Sequence, residues 1–231
     1  MPIANMKYRS GPDVRFAPVA HSRTFNRILD IFALRDRKVL DLGCGYGEYL
    51  THFGDGSIGI TTTVAEVEYG AARGIDIRRG NAEDLAPLHL PGDFEAIWAN
   101  NLFEHLLSPH AFLMRLKAAA QPEALLVLGV PVIPRVASLM HLRRFRGALS
   151  VAHINFFTRE SLRLTVERAG WRVAAVRPFL FSNVLLDTLA SFVAPHLYVI
   201  AYNDAHFRYE DKKLKEWKDD PLYSDLIATK K

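Results

Sequence analysis

A short apolar run that ends in an acid and then meets glycine at every second position constrains this chain most: Lys38-Val39-Leu40-Asp41-Leu42-Gly43-Cys44-Gly45-Tyr46-Gly47-Glu48. Residues 39–42 read as a buried strand. Gly43, Gly45 and Gly47 let the backbone turn tightly and approach a ligand without Cβ interference, and a helix opening near Glu48 would aim free N–H groups into the same gap. The pattern predicts a cofactor loop. Its spacing, G-x-G-x-G, departs from the G-x-G-x-x-G of dinucleotide enzymes, where the wider pattern leaves room for a pyrophosphate at a helix N-terminus. A dehydrogenase is therefore disfavoured.

Around this loop the elements alternate. Phe25, Ile28, Leu29 and Phe32 recur at helical spacing and predict an amphipathic helix ahead of the first strand, 38–42. A helix over 48–53, a turn at Gly54-Asp55-Gly56 and a strand over 57–61 come next. Thr63-Val64-Ala65-Glu66 opens a second helix that Gly74 stops, ahead of a strand over 75–78. Pro91-Gly92-Asp93 turns the chain into a strand over 94–99, and Ser108 with Pro109 predicts an N-cap and first helical position for a helix through Lys117. The unbroken apolar run 124–130 suits a central parallel strand covered on both faces. Thr158 caps a helix whose apolar face is Leu162, Val166 and Ala169, Gly170 stops it, and 172–176 and 197–202 supply the last two strands. The expected architecture is α/β: a seven-stranded, mostly parallel sheet with helices on both faces and ligands beyond the carboxyl ends of its strands. Its parts are an N-terminal segment and helix (1–36), a catalytic unit (37–204) with an insertion (131–152) and an apolar cover (179–195), and a charged tail (205–231).

Composition narrows the class. At 231 residues, 49% hydrophobic and 23% charged, the chain buries one good core without disulfides or metals. The lone Cys44 excludes an internal disulfide framework and points to a reducing compartment, the cytoplasm; inside the glycine loop it reads as a small residue that fits. The opening, 1–9, has no apolar core of signal-peptide length. A net charge of +4 is too modest to argue for nucleic acid, and DNA is not an expected partner. Residues 179–201 lack Lys and Arg, but Asn183, Asp187, Pro195 and His196 interrupt them, so a helix and a strand are expected rather than a membrane span.

The D-x-G-x-G-x-G run from Asp41 to Gly47 resembles motif I of the class I S-adenosylmethionine methyltransferases, and the resemblance extends over about 25–202 through several loops in the right order. It implies a Rossmann-like class I fold with S-adenosylmethionine as cofactor. Gly43, Gly45 and Gly47 would pass close to the methionine part of that cofactor, and Asp41 would help hold its ammonium group. The family usually carries a ribose-binding acid at the end of strand two, where this chain has Thr61. The segment Gly59-Ile60-Thr61-Thr62-Thr63-Val64-Ala65-Glu66 is similar to the cyclopropane-synthase-like branch, in which a glutamine at the position of Glu66 reaches the cofactor. Thr63-x-x-Glu66 is also a capping box. Thr61 is the expected ribose contact and Glu66 the expected cap, with the ribose as the alternative for Glu66. Gly80-Asn81-Ala82-Glu83-Asp84-Leu85 looks like the family's G-D-A-E-D-L, which implies that Asn81 accepts from the adenine amino group and Ala82 N–H donates to a ring nitrogen. An ordinary turn is the alternative for Asn81. Asn100, after strand four, would border the methionine part.

Two further segments point to the acceptor. Asn100-Asn101-Leu102-Phe103-Glu104-His105-Leu106 resembles the L-x-E-H segment of many small-molecule and glycan methyltransferases, and His153-Ile154-Asn155-Phe156-Phe157-Thr158 resembles their H-x-x-F-F-(S/T). The donor carries its own sulfonium leaving group, so the protein must align the reactants, exclude water and take a proton when the acceptor is a hydroxyl. His153 and His105, with Glu104 beside them, are the candidates for that last task. The structural alternatives are that Glu104 and His105 fix the post-strand turn and that His153 braces the next helix. Some quinone-pathway and small-RNA methyltransferases bind a divalent ion through E-x-x-E-H and a later His; here Asn101 replaces the first carboxylate, and no metal is expected. The insertion carries Arg135, His141, Arg143, Arg144 and Arg146, which either grip an anionic group on the acceptor or form a solvated face. Residues 179–193 either cover the acceptor pocket or mediate a homodimer. The expected activity is O-methylation of a small sugar, glycan or quinone-like acceptor, with RNA methylation or a silent cofactor-binding subunit as alternatives.

Overall fold

The computed structural model describes residues 11–220 and Tyr223. Residues 1–10 of the opening stretch and 221, 222 and 224–231 of the charged tail lie outside the described residues, as do the side chains of Ala137 and Arg144. One sheet holds seven strands: β1 (Val39–Leu42), β2 (Ile58–Thr61), β3 (Ile77–Arg79), β4 (Phe94–Asn100), β5 (Ala120–Pro131), β6 (Trp171–Arg177) and β7 (His196–Asn203), in the spatial order β3-β2-β1-β4-β5-β7-β6. The pairs from β3 through β5 are parallel, whereas β7 runs antiparallel to both β5 and β6.

Seven helices accompany the strands among the described residues: α1 (Phe16–Ala20), α2 (Arg23–Ile31), α3 (Val64–Arg73), α4 (Pro109–Ala119), α5 (Arg159–Arg168), α6 (Val184–Ala190) and α7 (Asp211–Trp217). Side chains alternate across a strand, so β1 feeds two apolar layers. Leu40 and Leu42 join Phe112 and Leu116 of α4 and Leu162 and Val166 of α5, while Val39 joins Phe25, Ile28 and Leu29 of α2 on the opposite face. Both faces of the sheet are covered, which explains why β1 is buried throughout. The expected cap at Thr158 holds at α5, where Thr158 and Ser161 form a reciprocal capping box, and α2 is capped by Ser22, whose Oγ accepts from Phe25 N at 3.3 Å. Pro195 separates α6 from β7 as expected.

Elsewhere the structure departs from the local expectations in whole or in part. No α-helix follows the glycine loop: Gly43, Gly45 and Gly47 sit at φ +70°, +57° and +90°, the chain continues as turns, and only a single 3-10 turn, Leu50–His52, forms. The expected helix N-terminus at Glu48 is absent. Ser108 occupies the N-cap of α4, but its side chain makes no cap bond; the Glu83 carboxylate accepts from Leu107 N and Ser108 N at 2.9 and 2.8 Å instead. β3 begins two residues later than its composition predicts, because pairing with β2 starts at Ile77.

The insertion forms two 3-10 segments, Ala137–His141 and Arg143–Leu149. Arg146 donates to Met140 O and His141 O at 3.2 and 3.5 Å, so one expected anion-gripping arginine is occupied by the insertion's own backbone. No described helix is long and apolar enough to cross a membrane.

Candidate active site

The sheet order reverses between β1 and β4, and the carboxyl ends of those strands open a crevice at that switch point. Gly43 N and Cys44 N donate to Ile60 O at 2.9 and 3.2 Å, folding the glycine loop back over the end of β2. A Cβ at Gly43 would lie 3.4 Å from Leu102, so the loop also touches the segment after β4. Asp41 is buried, and its Oδ2 has no hydrogen-bond partner among the described residues. Asn100 donates to Tyr49 Oη at 3.0 Å and leaves its own Oδ1 without a partner. Native proteins rarely strand buried acceptors, so two of them at the ends of adjacent strands ask for a donor-rich ligand.

Carboxylates dominate the buried charge around the loop, with the half-exposed Arg15 pairing at its edge. Glu48 lies across Gly45, with Oε2 2.7 Å from where a Cβ would stand, and its Oε1 pairs with Arg15 at 2.7 Å. Burial, and then the neighbouring Glu48, hold the Asp41 carboxyl well above the usual carboxylate range. Burial first, and then Asp41, Glu66 and Glu48, push the Cys44 thiol up. Cys44 is thus an inert packing residue, as expected, and three carboxylates face one small volume. A ligand with a sulfonium and an ammonium group fits this wall, because it supplies both the missing positive charge and the missing N–H donors.

At the end of β2, Thr61 Oγ1 donates to Glu66 Oε2 at 2.5 Å and accepts from Thr63 N at 3.2 Å. The expected capping box does not form, since Thr63 makes no side-chain cap bond. Glu66 is the first-turn acid of α3, yet it reaches back to Thr61 and places a carboxylate where the sequence had left a neutral hydroxyl. In the loop after β3, Asn81 Oδ1 accepts from Glu83 N at 3.0 Å, the turn alternative, and Ala82 is buried.

Glu104, His105 and His153 come together although 47 residues separate the ends of one contact. His105 Nδ1 donates to Ala152 O at 2.9 Å and His153 Nδ1 donates to Ala148 O at 3.2 Å. Both Nε2 atoms then face the same carboxylate oxygen, Glu104 Oε1, at 3.9 and 3.8 Å. Glu104 is 1% exposed, its Oε2 has no hydrogen-bond partner among the described residues, and burial raises its carboxyl above the ordinary range, with its own backbone bond, His105 and His153 opposing. Ile154 N and Asn155 N donate to Glu104 O at 3.0 Å each, and Phe157 stacks on Phe103 at 5.0 Å. These contacts lock the two distant loops into one wall. The ligand atoms of the three side chains lie within 4.8 Å of one another, a two-nitrogen, one-oxygen set that could also hold a metal ion.

Asn101 does not join them. It adopts φ +54°, a left-handed bend that asparagine tolerates better than most residues, and its Oδ1 lies 3.0 Å from His196 Nε2. Burial pushes His196 down to about 4. A histidine held neutral in the fold stabilises it fully above its unfolded value near 6.5, and that contribution is lost as pH falls from there towards 4. Thermal melts are expected to show a loss of stability across that window, reduced in His196→Gln.

Comparison with known proteins gives the family. The model of the methyltransferase domain matches residues 15–176. The chain belongs to that methyltransferase family. No curated protein matches the sequence. Among solved structures, S-adenosylmethionine-dependent methyltransferases from Thermotoga maritima, Mesorhizobium loti and Archaeoglobus fulgidus share the fold. The first is 13% identical, with a TM-score of 0.59, 83% of this chain and 94% of that chain covered. The second is 15% identical at a TM-score of 0.58, covering 80% and 99%, and the third 17% identical at 0.56, covering 84% and 100%. The methyltransferase therefore has the Rossmann-like class I architecture, with S-adenosylmethionine as its cofactor.

Arg15, Glu48 and Tyr49 at the glycine loop, and Glu83 at the start of α4, were given no site role by the sequence reading. Glu48 and Tyr49 follow the glycine loop directly and could have been found there; Arg15 and Glu83 act across distances that local patterns do not encode.

Proposed function

We propose that this methyltransferase transfers a methyl group from S-adenosylmethionine to a hydroxyl of a small sugar, glycan or quinone-like acceptor in the cytoplasm, with His153 as general base. The observation that carries the reading is the paired geometry of two imidazoles on Glu104. Each Nδ1–H is committed to a backbone carbonyl, so each Nε2 presents its lone pair. His153, the less exposed of the two, accepts the acceptor's proton at Nε2, and Glu104 stabilises the imidazolium that results. His105 holds the second position on the carboxylate and shields it from water. The cofactor supplies an electrophilic methyl and a neutral thioether leaving group. Asp41 and Asn100 take its ammonium, Gly43, Gly45 and Gly47 admit its methionine chain, Thr61 with Glu66 binds the ribose, and Asn81 and Ala82 border the adenine. This assignment makes residues 37–204 the methyl-transfer unit. The proposed reaction uses no hard cation, because Asn101 is turned to His196 and only one carboxylate remains to bind one.

Isothermal calorimetry with S-adenosylmethionine and with its demethylated product tests the first half; no heat from either at millimolar concentration overturns it. Release of that product in the presence of a phenol or sugar hydroxyl acceptor, unaffected by EDTA, tests the second. Glu66→Ala should weaken cofactor binding about tenfold to a hundredfold, the effect of losing one charge-assisted hydrogen bond. Unchanged affinity in that variant would confine Glu66 to bracing β2.

A further inference from the structure

The segment between β6 and β7 is built to keep apolar side chains in solvent. From Leu180 to Val193 seven large apolar residues are exposed, Leu185 most of all at 69%. The one acid in the stretch, Asp187, is fully buried, and its carboxylate accepts from Phe179 N, Leu180 N and Phe181 N at 3.0, 2.7 and 3.0 Å. Asn183 Oδ1 accepts from Leu185 N and Leu186 N, fixing the start of α6. The polar groups of the segment are thus spent on holding its shape, and the outer surface has no anionic group. A core helix would bury such a face; this one has no protein neighbour on it among the described residues.

Cations stand at both ends. Arg27 of α2 donates to Phe179 O at 2.7 Å, with the exposed Arg23 one turn before it. At the other end Arg135 is exposed, donates from its N–H to Phe192 O at 3.0 Å and carries its guanidinium 5.3 Å above the Phe192 ring. α6 leads into β7, whose first residue pairs with Pro131 and contacts Asn101.

We propose that residues 180–193 form an interfacial docking face for an anionic lipid membrane, with α6 lying in the headgroup region and Arg27 and Arg135 on lipid phosphates. Charge complementarity favours this occupant over a second copy of the chain. A two-fold contact across the same patch would set each copy's arginine-fringed ends against the other's, and seven side chains fall well short of the roughly 20–30 residues a side of a stable interface. The proposal goes beyond methyl transfer and does not depend on which atom is methylated; with the proposed function it implies an acceptor delivered from the lipid phase.

Co-sedimentation of the full chain with phosphatidylglycerol-containing and pure phosphatidylcholine vesicles tests it. Binding should be at least tenfold stronger to the anionic vesicles, weaken as salt rises, and fall at least tenfold in Leu185→Glu/Leu189→Glu and severalfold in Arg135→Glu. Calorimetric cofactor affinity should be unchanged in all variants, so failure here is separable from failure of the proposed function. No preference for anionic vesicles overturns the proposal, as does a double variant that binds like the parent. Light scattering that finds a dimer dissociated by Leu185→Glu/Leu189→Glu, without vesicle binding, overturns it in favour of a second copy.

Discussion

His153→Ala is expected to lower turnover about a hundredfold to a thousandfold while leaving cofactor affinity within about twofold, the scale on which a positioned general base contributes. The physical basis is the commitment of both Nδ1 atoms to Ala148 O and Ala152 O, which leaves Nε2 as the only free base on each ring, facing Glu104. Glu104→Gln keeps the shape and removes the charge that stabilises the imidazolium. In the parent enzyme the rate should fall on the acid side at a pH above that of an ordinary carboxylate, because burial raises Glu104 and its protonation ends that stabilisation. Glu104→Gln should be slow across the pH range while leaving cofactor affinity unchanged. The stability sign is opposite. A carboxyl raised in the fold contributes most stability below its unfolded value and loses it as pH rises through the folded one, so Glu104→Gln should melt no lower than the parent above neutral pH. A purely structural Glu104 would instead give a lower melting temperature with a normal rate profile. Full turnover in both His153→Ala and His105→Ala would end the base assignment.

Asp41→Asn should make the cofactor-free protein more stable and the enzyme worse. Asp41 is buried beside Glu48, its carboxyl is held well above the ordinary range, and Oδ2 has no hydrogen-bond partner among the described residues. Above its unfolded value such a charge costs stability, and removing it should recover roughly 1–2 kcal/mol, or about 3–6 °C in a chain of this size. In the proposed function the same substitution removes the charge that would face the cofactor's ammonium, so affinity should drop at least tenfold for both the methyl donor and its demethylated product, which share that group. A higher melting temperature with unchanged affinity would make Asp41 an electrostatic strain with no ligand role. A lower melting temperature would mean that the carboxylate is structurally satisfied.

Much of the fold was legible because its determinants are short-range. The apolar run before Asp41 marks β1, and Phe25, Ile28 and Leu29 mark α2 at helical spacing. Thr158 and Ser161 cap α5 within one turn, and Gly43, Gly45 and Gly47 announce left-handed backbone that other residues resist. Where the same local logic failed, a distant group had won. Glu66 offered the right spacing for a cap and gave its carboxylate to Thr61, and Ser108 yielded the cap of α4 to Glu83, 25 residues away.

The candidate site divides along the same line. Sequence alone placed a glycine bend after β1, and resemblance to motif I and to the segments around Glu104, His105 and His153 suggested an adenosyl donor and an acceptor side, since each likeness is carried by residues a few positions apart. Only the tertiary structure decided that Glu104 sits between both imidazoles, that Glu48 lies across Gly45 under Arg15, and that Asn101 turns to His196. Those outcomes depend on which strand ends are neighbours in the sheet and on how burial strips water from a carboxylate, and neither is written in the spacing of residues along the chain.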